Sequence, residues 1–194
     1  MTAPILIDVP AEIETRRLLL RCPKPGDGVS VHEAVVESLK ELRAWGASLP
    51  WAIPEPSVDA SEMFCREGQA GFIQRTSLPY LAFERDTGRF IASTSLHRIH
   101  WEVPRFELGF WCRTSAHRQG YTREAARALL ELAFTGLAAR RVEAYTDELN
   151  VASLNVASRQ LCLSVGMALE GVLRHNRIDG AGTLRNTCMF AAVR

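Results

Sequence analysis

The 194-residue chain lacks the marks of most specialised protein classes. It has no charge excess: 23 Lys and Arg stand against 22 Asp and Glu, for a net charge of +1. A general nucleic-acid binder carries a strong basic surplus, so that class is excluded, although a local basic cluster is not. No uninterrupted apolar run approaches the roughly 20 residues needed to cross a bilayer, so no membrane partner is expected. Residues 1–10 lack a basic stretch followed by a long apolar one, and no signal peptide is expected. Cysteine is sparse, scattered and odd in number: Cys22, Cys65, Cys112, Cys162 and Cys188. Without a CxxC pair, neither a zinc site nor a thiol redox motif is indicated. Reduced thiols, several of them buried, in a cytoplasmic protein is the expectation. His32, His97, His100 and His175 show no metal-ligand spacing and read as surface or core residues; no metal is expected. There is no GxGxxG fingerprint, no low-complexity tract and no sign of a second domain, so one domain over residues 1–194 is expected.

What is present is a core. Hydrophobic residues make up 47% of the chain, and their spacing gives alternating elements. Residues 14–21 read as a strand closed by Pro23 and Pro25. Asp27 is placed to cap a helix over about 29–42. A segment rich in Trp and Pro follows (Trp45, Pro50, Trp51, Pro54, Pro56), and Ser57 or Asp59 opens a second helix to about Gln74. Strands are expected over 81–85 and 90–97, joined by a hairpin at Asp86-Thr87-Gly88-Arg89, and over 106–112. Ala126, Leu129, Leu130, Ala133 and Leu137 have the spacing of a buried helix face. A strand over 141–146, a helix ending near Gly166 and a last hairpin around Asp179-Gly180-Ala181-Gly182 complete the order. Strand–helix–strand between Phe106 and Thr146 implies a crossover joining parallel strands. The class is α/β (α+β), with a mixed sheet of about seven strands and helices on both faces.

One junction carries the chemistry. Glu107-Leu108-Gly109-Phe110-Trp111-Cys112 runs through Arg113–Ala116 into His117-Arg118-Gln119-Gly120-Tyr121-Thr122-Arg123, which opens the helix. A basic, glycine-containing turn at a helix N-terminus aims backbone N–H groups at a guest, and a phosphate suits it.

Across nearly its whole length the chain resembles the GNAT superfamily of acyl-CoA N-acyltransferases, in its RimJ/RimL-like branch. Glu14–Arg21 is similar to that branch's opening "T-x-R-L-x-L-R". Residues 45–56 look like its Trp- and Pro-rich segment. Glu107–Trp111 is similar to "E-I-G-Y-W", and Asn155-Val156-Ala157-Ser158 with Gly166-Met167 to "N-x-x-S … G-F/M". Two departures stand out. In the family's "Q/R-x-x-G-x-G/A" loop, His117 takes the Q/R place, Arg118 a usual glycine and Thr122 the G/A place. An Arg where the backbone needs positive φ is costly, but it can also pair with a phosphate. The NVAS sequence is duplicated, at 150–153 and 155–158. Counting from Asp147 selects Asn150; counting back from Gly166 selects Asn155.

The resemblance implies an acetyl-CoA-dependent transfer of an acetyl group to a primary amine, directly within a ternary complex. The acceptor is a protein N-terminal α-amine, as on a ribosomal protein, or a small molecule; a non-catalytic acyl-CoA-binding module is the rival reading. It implies pantetheine beside Phe110, Trp111, Cys112 and Arg113, and pyrophosphate on the amides from Gln119 to Arg123, near His117 and Arg118. Glu107 takes the place of a general base; its plainer reading is a strand carboxylate paired with Arg105. Ser158 is placed to protonate the leaving thiolate, with Tyr145 a weaker candidate, or it is a polar helix residue. Asn155 contacts the pantetheine or caps the helix. Of the aromatics that could line an acceptor pocket (Trp45, Trp51, Tyr80 and Trp101), Trp51 is the one chosen. No nucleic-acid partner is implied, and a homodimer is allowed.

Overall fold

A computed structural model describes residues 3–149 and 157–194. Eight strands form one sheet in the order β1-β2-β3-β4-β5-β6-β8-β7. They are β1 (Glu12–Glu14), β2 (Leu18–Arg21), β3 (Leu78–Glu84), β4 (Phe90–His100), β5 (Arg105–Cys112), β6 (Arg141–Asp147), β7 (Ala168–Ile178) and β8 (Leu184–Val193). Four α-helices join them: α1 (Gly28–Arg43), α2 (Val58–Gln74), α3 (Tyr121–Glu131) and α4 (Ala157–Ser164). The mixed α/β class stands. The eighth strand arises because the expected first strand is two. Thr15 folds back on Leu18, its N–H reaching the Leu18 carbonyl at 2.8 Å and its hydroxyl accepting from the Leu18 N–H at 3.0 Å. That turn lets Glu12 pair antiparallel with Arg21.

Pleat alternation divides the core. Tyr80 and Ala82 of β3 point into the larger apolar cluster, with Leu129, Val142 and Phe190, while the intervening Leu81 joins Val31, Ala34 and Cys65 beneath α1 and α2. The buried faces of α1 (Val31, Ala34, Val35, Leu42) and α3 (Ala125, Ala126, Leu129, Leu130) keep helical spacing. Ser57 caps α2 by accepting from the Ala60 N–H at 3.0 Å. Asp27 stands at the start of α1 but does not cap it. Its carboxylate instead takes both arms of Arg21, at 2.7 and 2.6 Å, and the Lys24 N–H at 2.9 Å. Gly88 at φ 69° makes the β3–β4 turn.

Every neighbouring pair of strands is antiparallel except β5 and β6. That parallel pair joins only residues 105–107 to 141–143. Beyond Glu107 each strand keeps its outer neighbour, β5 to Cys112 against β4 and β6 to Asp147 against β8. The sheet therefore opens between them.

Candidate active site

The basic turn borders this opening. Arg118 has φ 61° and Gly120 φ 80°, so the position where a glycine was expected does need a left-handed backbone. Such a conformation costs an L-residue about 1–2 kcal/mol, and the surrounding contacts must hold it. Glu124, on the first turn of α3, accepts from the Thr15 hydroxyl (2.7 Å), the Arg17 N–H (2.8 Å) and Arg17 Nε (2.7 Å). Arg17 also donates to the Gln119 carbonyl at 2.9 Å and lies 4.2 Å over the Tyr121 ring. Thr15 and Arg17 are the polar residues of the opening T-x-R motif, and pinning this turn is the physical work they do. On the other flank Glu37 of α1 bonds Arg113 and the Ser115 N–H (2.8 Å). The Arg113 hydrogen bond holds the Glu37 carboxyl down near 2.

One cavity of about 1300 Å³ runs from this turn, through the gap in the sheet, to the Trp- and Pro-rich segment. Of the residues expected to meet a cofactor, Phe110, Trp111 and Cys112 line it from β5, and His117, Arg118, Gln119, Gly120, Thr122 and Arg123 from the turn. The Arg113 side chain turns to Glu37 and the Phe90 carbonyl (3.0 Å), and Tyr121 lies under Arg17 with its hydroxyl on Glu84. Neither lines the cavity. Burial pushes the Cys112 thiol up, against a hydrogen bond from Thr122 and the Arg113 charge. Ser158 lines the cavity from the first turn of α4. Asn155 and Asn150 lie outside the described residues, and with them the choice between the two NVAS registers.

Glu107 stands where β5 and β6 part, its side chain 12% exposed. Its partners are Arg98 Nη1 at 3.0 Å and His97 Nε2 at 3.2 Å. Arg105 is not among them; it approaches Glu143 at 3.9 Å. Burial pushes the Glu107 carboxyl up, but the His97 hydrogen bond and the charges of His97, Arg98 and Arg177 outweigh it, and the group sits below its ordinary value. His97, Arg98 and Ser95 line the cavity; without the β4–β5 register no local pattern points to that role. Tyr145 also lines it; its hydroxyl donates to Glu143 at 3.1 Å, and burial and Glu143 raise it.

Trp51 and Trp45 line the cavity, and Trp51 lies 5.7 Å from the Trp111 ring. Tyr80 and Trp101 do not. Tyr80 is fully buried with its hydroxyl on the Pro10 carbonyl (2.5 Å), and Trp101 donates to the Arg75 carbonyl at 3.0 Å and packs edge-on against Phe106.

The sheet gap, the left-handed basic turn and the helix behind it border one cavity. The chain belongs to the GNAT acetyltransferases: that family's acetyltransferase (GNAT) domain matches residues 17–160. It is thus an acetyltransferase. Among solved structures it is similar to RimL, the ribosomal L7/L12 alpha-N-protein acetyltransferase in complex with coenzyme A. There the identity is 20%, the TM-score 0.81, and 94% of this chain and 97% of that one are covered. The ribosomal-protein-S5-alanine acetyltransferase of Vibrio fischeri gives 14% identity and a TM-score of 0.79, over 96% and 97%. The microcin C7 self-immunity acetyltransferase MccE, in complex with acetyl-CoA and AMP, gives 16% and 0.82, over 96% and 98%. At these identities the likeness is one of fold. No curated protein matches. Among the described residues no helix is long and apolar enough to cross a membrane, and no group of His, Cys, Asp and Glu is placed to hold a metal.

Proposed function

We propose that the protein transfers an acetyl group from acetyl-CoA to the N-terminal α-amine of a protein, directly and in a ternary complex, in the cytoplasm. Acetyl-CoA supplies an activated thioester carbonyl. The amides from Gln119 to Arg123 receive its pyrophosphate at the positive end of α3, and the exposed edges of β5 and β6 flank its pantetheine arm. Glu107 takes the proton that the acceptor nitrogen must lose, and Ser158 supplies one to the departing thiolate. RimL in complex with coenzyme A and MccE in complex with acetyl-CoA support the choice of cosubstrate.

One observation carries the choice of acceptor. The fold is similar to that of RimL, an alpha-N-protein acetyltransferase, and the Glu107 carboxyl, held below its ordinary value by His97, Arg98 and Arg177, suits an acceptor that is already partly neutral. An α-amine, with a pKa of about 7.7–8.0, is partly neutral at pH 7 and needs less help from a base than a lysine amine near 10.4. RimL and the S5-alanine enzyme, by name, act on ribosomal proteins. MccE with bound AMP favours a small-molecule acceptor as the second reading.

Thiol release measured with peptides bearing a free N-terminus, peptides N-blocked but carrying lysine, and small amines separates these readings. Free N-terminal peptides are expected to turn over fastest. Transfer to lysine alone overturns the α-amine assignment, and a protein whose melting temperature does not rise with CoA overturns the whole proposal.

A further inference from the structure

In the β4–β5 hairpin His97 lies opposite Glu107 and Ser95 opposite Gly109. Cross-strand partners share a face, and here it is the face of the cavity. A hydrogen-bonded chain results: Ser95 Oγ is 3.1 Å from His97 Nδ1, and His97 Nε2 is 3.2 Å from Glu107 Oε1. Gly109 makes room for it. A Cβ there would come within 2.7 Å of His97 Cε1 and 3.0 Å of Ser95 Oγ. Immediately after His97 the strand bulges, with Arg98 at φ 48° and a register shift before His100. Consecutive strand residues ordinarily point to opposite faces; the bulge brings Arg98 onto Glu107 as well. The two carboxylate oxygens thus meet different cations. Oε2 meets a guanidinium, which does not give up its proton. Oε1 meets an imidazole, whose ring nitrogens can both accept and donate a proton.

Exposure divides the pair in the same sense. The Glu107 side chain is 12% exposed and that of His97 33%. Arg98 from the same strand, Arg177 from β7, and Tyr145 and Glu143 from β6 are the other charged or titratable groups around them.

We propose that His97 is a positioning residue that carries the acceptor's proton from Glu107 out to solvent, with Ser95 setting its tautomer. This rests on Glu107 being the base. The acceptor ammonium's N–H bond breaks as an O–H bond forms on Glu107. That bond breaks in turn as His97 Nε2 takes the proton, restoring the carboxylate beside Arg98. Ser95 Oγ, by accepting from Nδ1–H, leaves Nε2 able to take the proton once Glu107 carries it; the Nε2–H so formed makes the hydrogen bond that faces the restored carboxylate. The imidazolium then releases the Nε2 proton to water, which regenerates the neutral Nδ1–H tautomer on Ser95.

The test is the dependence of kcat and kcat/KM on pH, from about 5.5 to 9, for wild type, His97→Gln and Ser95→Ala on a free N-terminal peptide. His97→Gln keeps a hydrogen-bonding side chain but cannot carry a proton. Its kcat is expected to fall about 10- to 100-fold, with the acetyl-CoA KM and the CoA-induced melting shift unchanged and the acid limb of the profile displaced. Ser95→Ala, which keeps the histidine, is expected to displace the same limb with a loss of a few-fold. An unchanged kcat in His97→Gln, or a uniform loss with the wild-type profile shape, overturns the proposal. So does an undisplaced limb in Ser95→Ala, which decides the matter if His97→Gln does not fold. Glu107→Gln is the separate control: full activity there removes Glu107 as the base, whereas a loss there with none in His97→Gln removes only the relay.

Discussion

The turn before α3 and the wall carrying Glu107 border one cavity but are built by different means. The turn is tied down from far along the chain, by Thr15 and Arg17 on Glu124 and by Glu37 on Arg113 and Ser115. Arg118 and Arg123 give it cations whose charge does not vary with pH. The wall is a local product of one hairpin, in which a single bulge sets His97 and Arg98 on Glu107. It contains the groups that can exchange protons. A fixed cradle suits the binding of an anion, while a titratable wall suits proton transfer. The two regions should therefore fail separately.

The largest expected effect is on the wall. Glu107→Gln should lower kcat about 10²- to 10³-fold and leave the CoA-induced rise in melting temperature intact. A matching loss of CoA binding would show that the regions are not separable. On the turn, Glu124→Ala strands Thr15 and Arg17 and should destabilise the fold by about 2–3 kcal/mol in denaturant unfolding, with weaker CoA binding. A change under about 0.5 kcal/mol would mean that the Arg17–Glu124 contacts are incidental.

Arg118→Gly sharpens the comparison. It relieves the left-handed backbone but removes a cation from the turn. CoA binding by calorimetry should weaken by about 3- to 10-fold, the scale of one solvent-exposed charge contact. Tighter binding would mean that the Arg118 side chain obstructs the turn. The smallest effect is one of pH. Glu37 has its folded-state carboxyl depressed to about 2, so its contribution is complete above the unfolded value near 4.3 and is lost as pH falls toward about 2. The melting-temperature gap between wild type and Glu37→Gln should be constant from about pH 5 upward and close in acid. A gap that persists at pH 2 would place its origin in packing instead.

Most elements were legible in the sequence because their apolar periods are strong. The helix spacing of Ala126, Leu129 and Leu130 and the turn chemistry of Gly88 both hold in the structure. The split of the first strand was not legible, since it depends on Thr15 folding back on Leu18. Asp27 precedes a helix as a cap would, but Arg21 in the adjacent strand is the stronger partner for a buried carboxylate. Trp101 and Tyr80 looked like pocket aromatics; carbonyls at Arg75 and Pro10 satisfy their polar ends inside the core. Arg105 was the nearer candidate partner for Glu107 along the chain, yet it lies two residues away on the same strand and approaches Glu143 on β6 instead.

The chain's own residue pattern sets the order of elements, the parallel crossover from β5 to β6 and the helix-opening basic turn, because these depend on local periodicity, turn residues and motif spacing. It also located Arg118 at a position that demands a left-handed backbone. What surrounds Glu107 is set by the pairing of strands in the folded sheet. His97, Arg98 and Ser95 come to it through the register of two antiparallel strands and one bulge, and a shift of one residue would turn them to the other face. Register is a relation between strands, so neither strand's own sequence displays it.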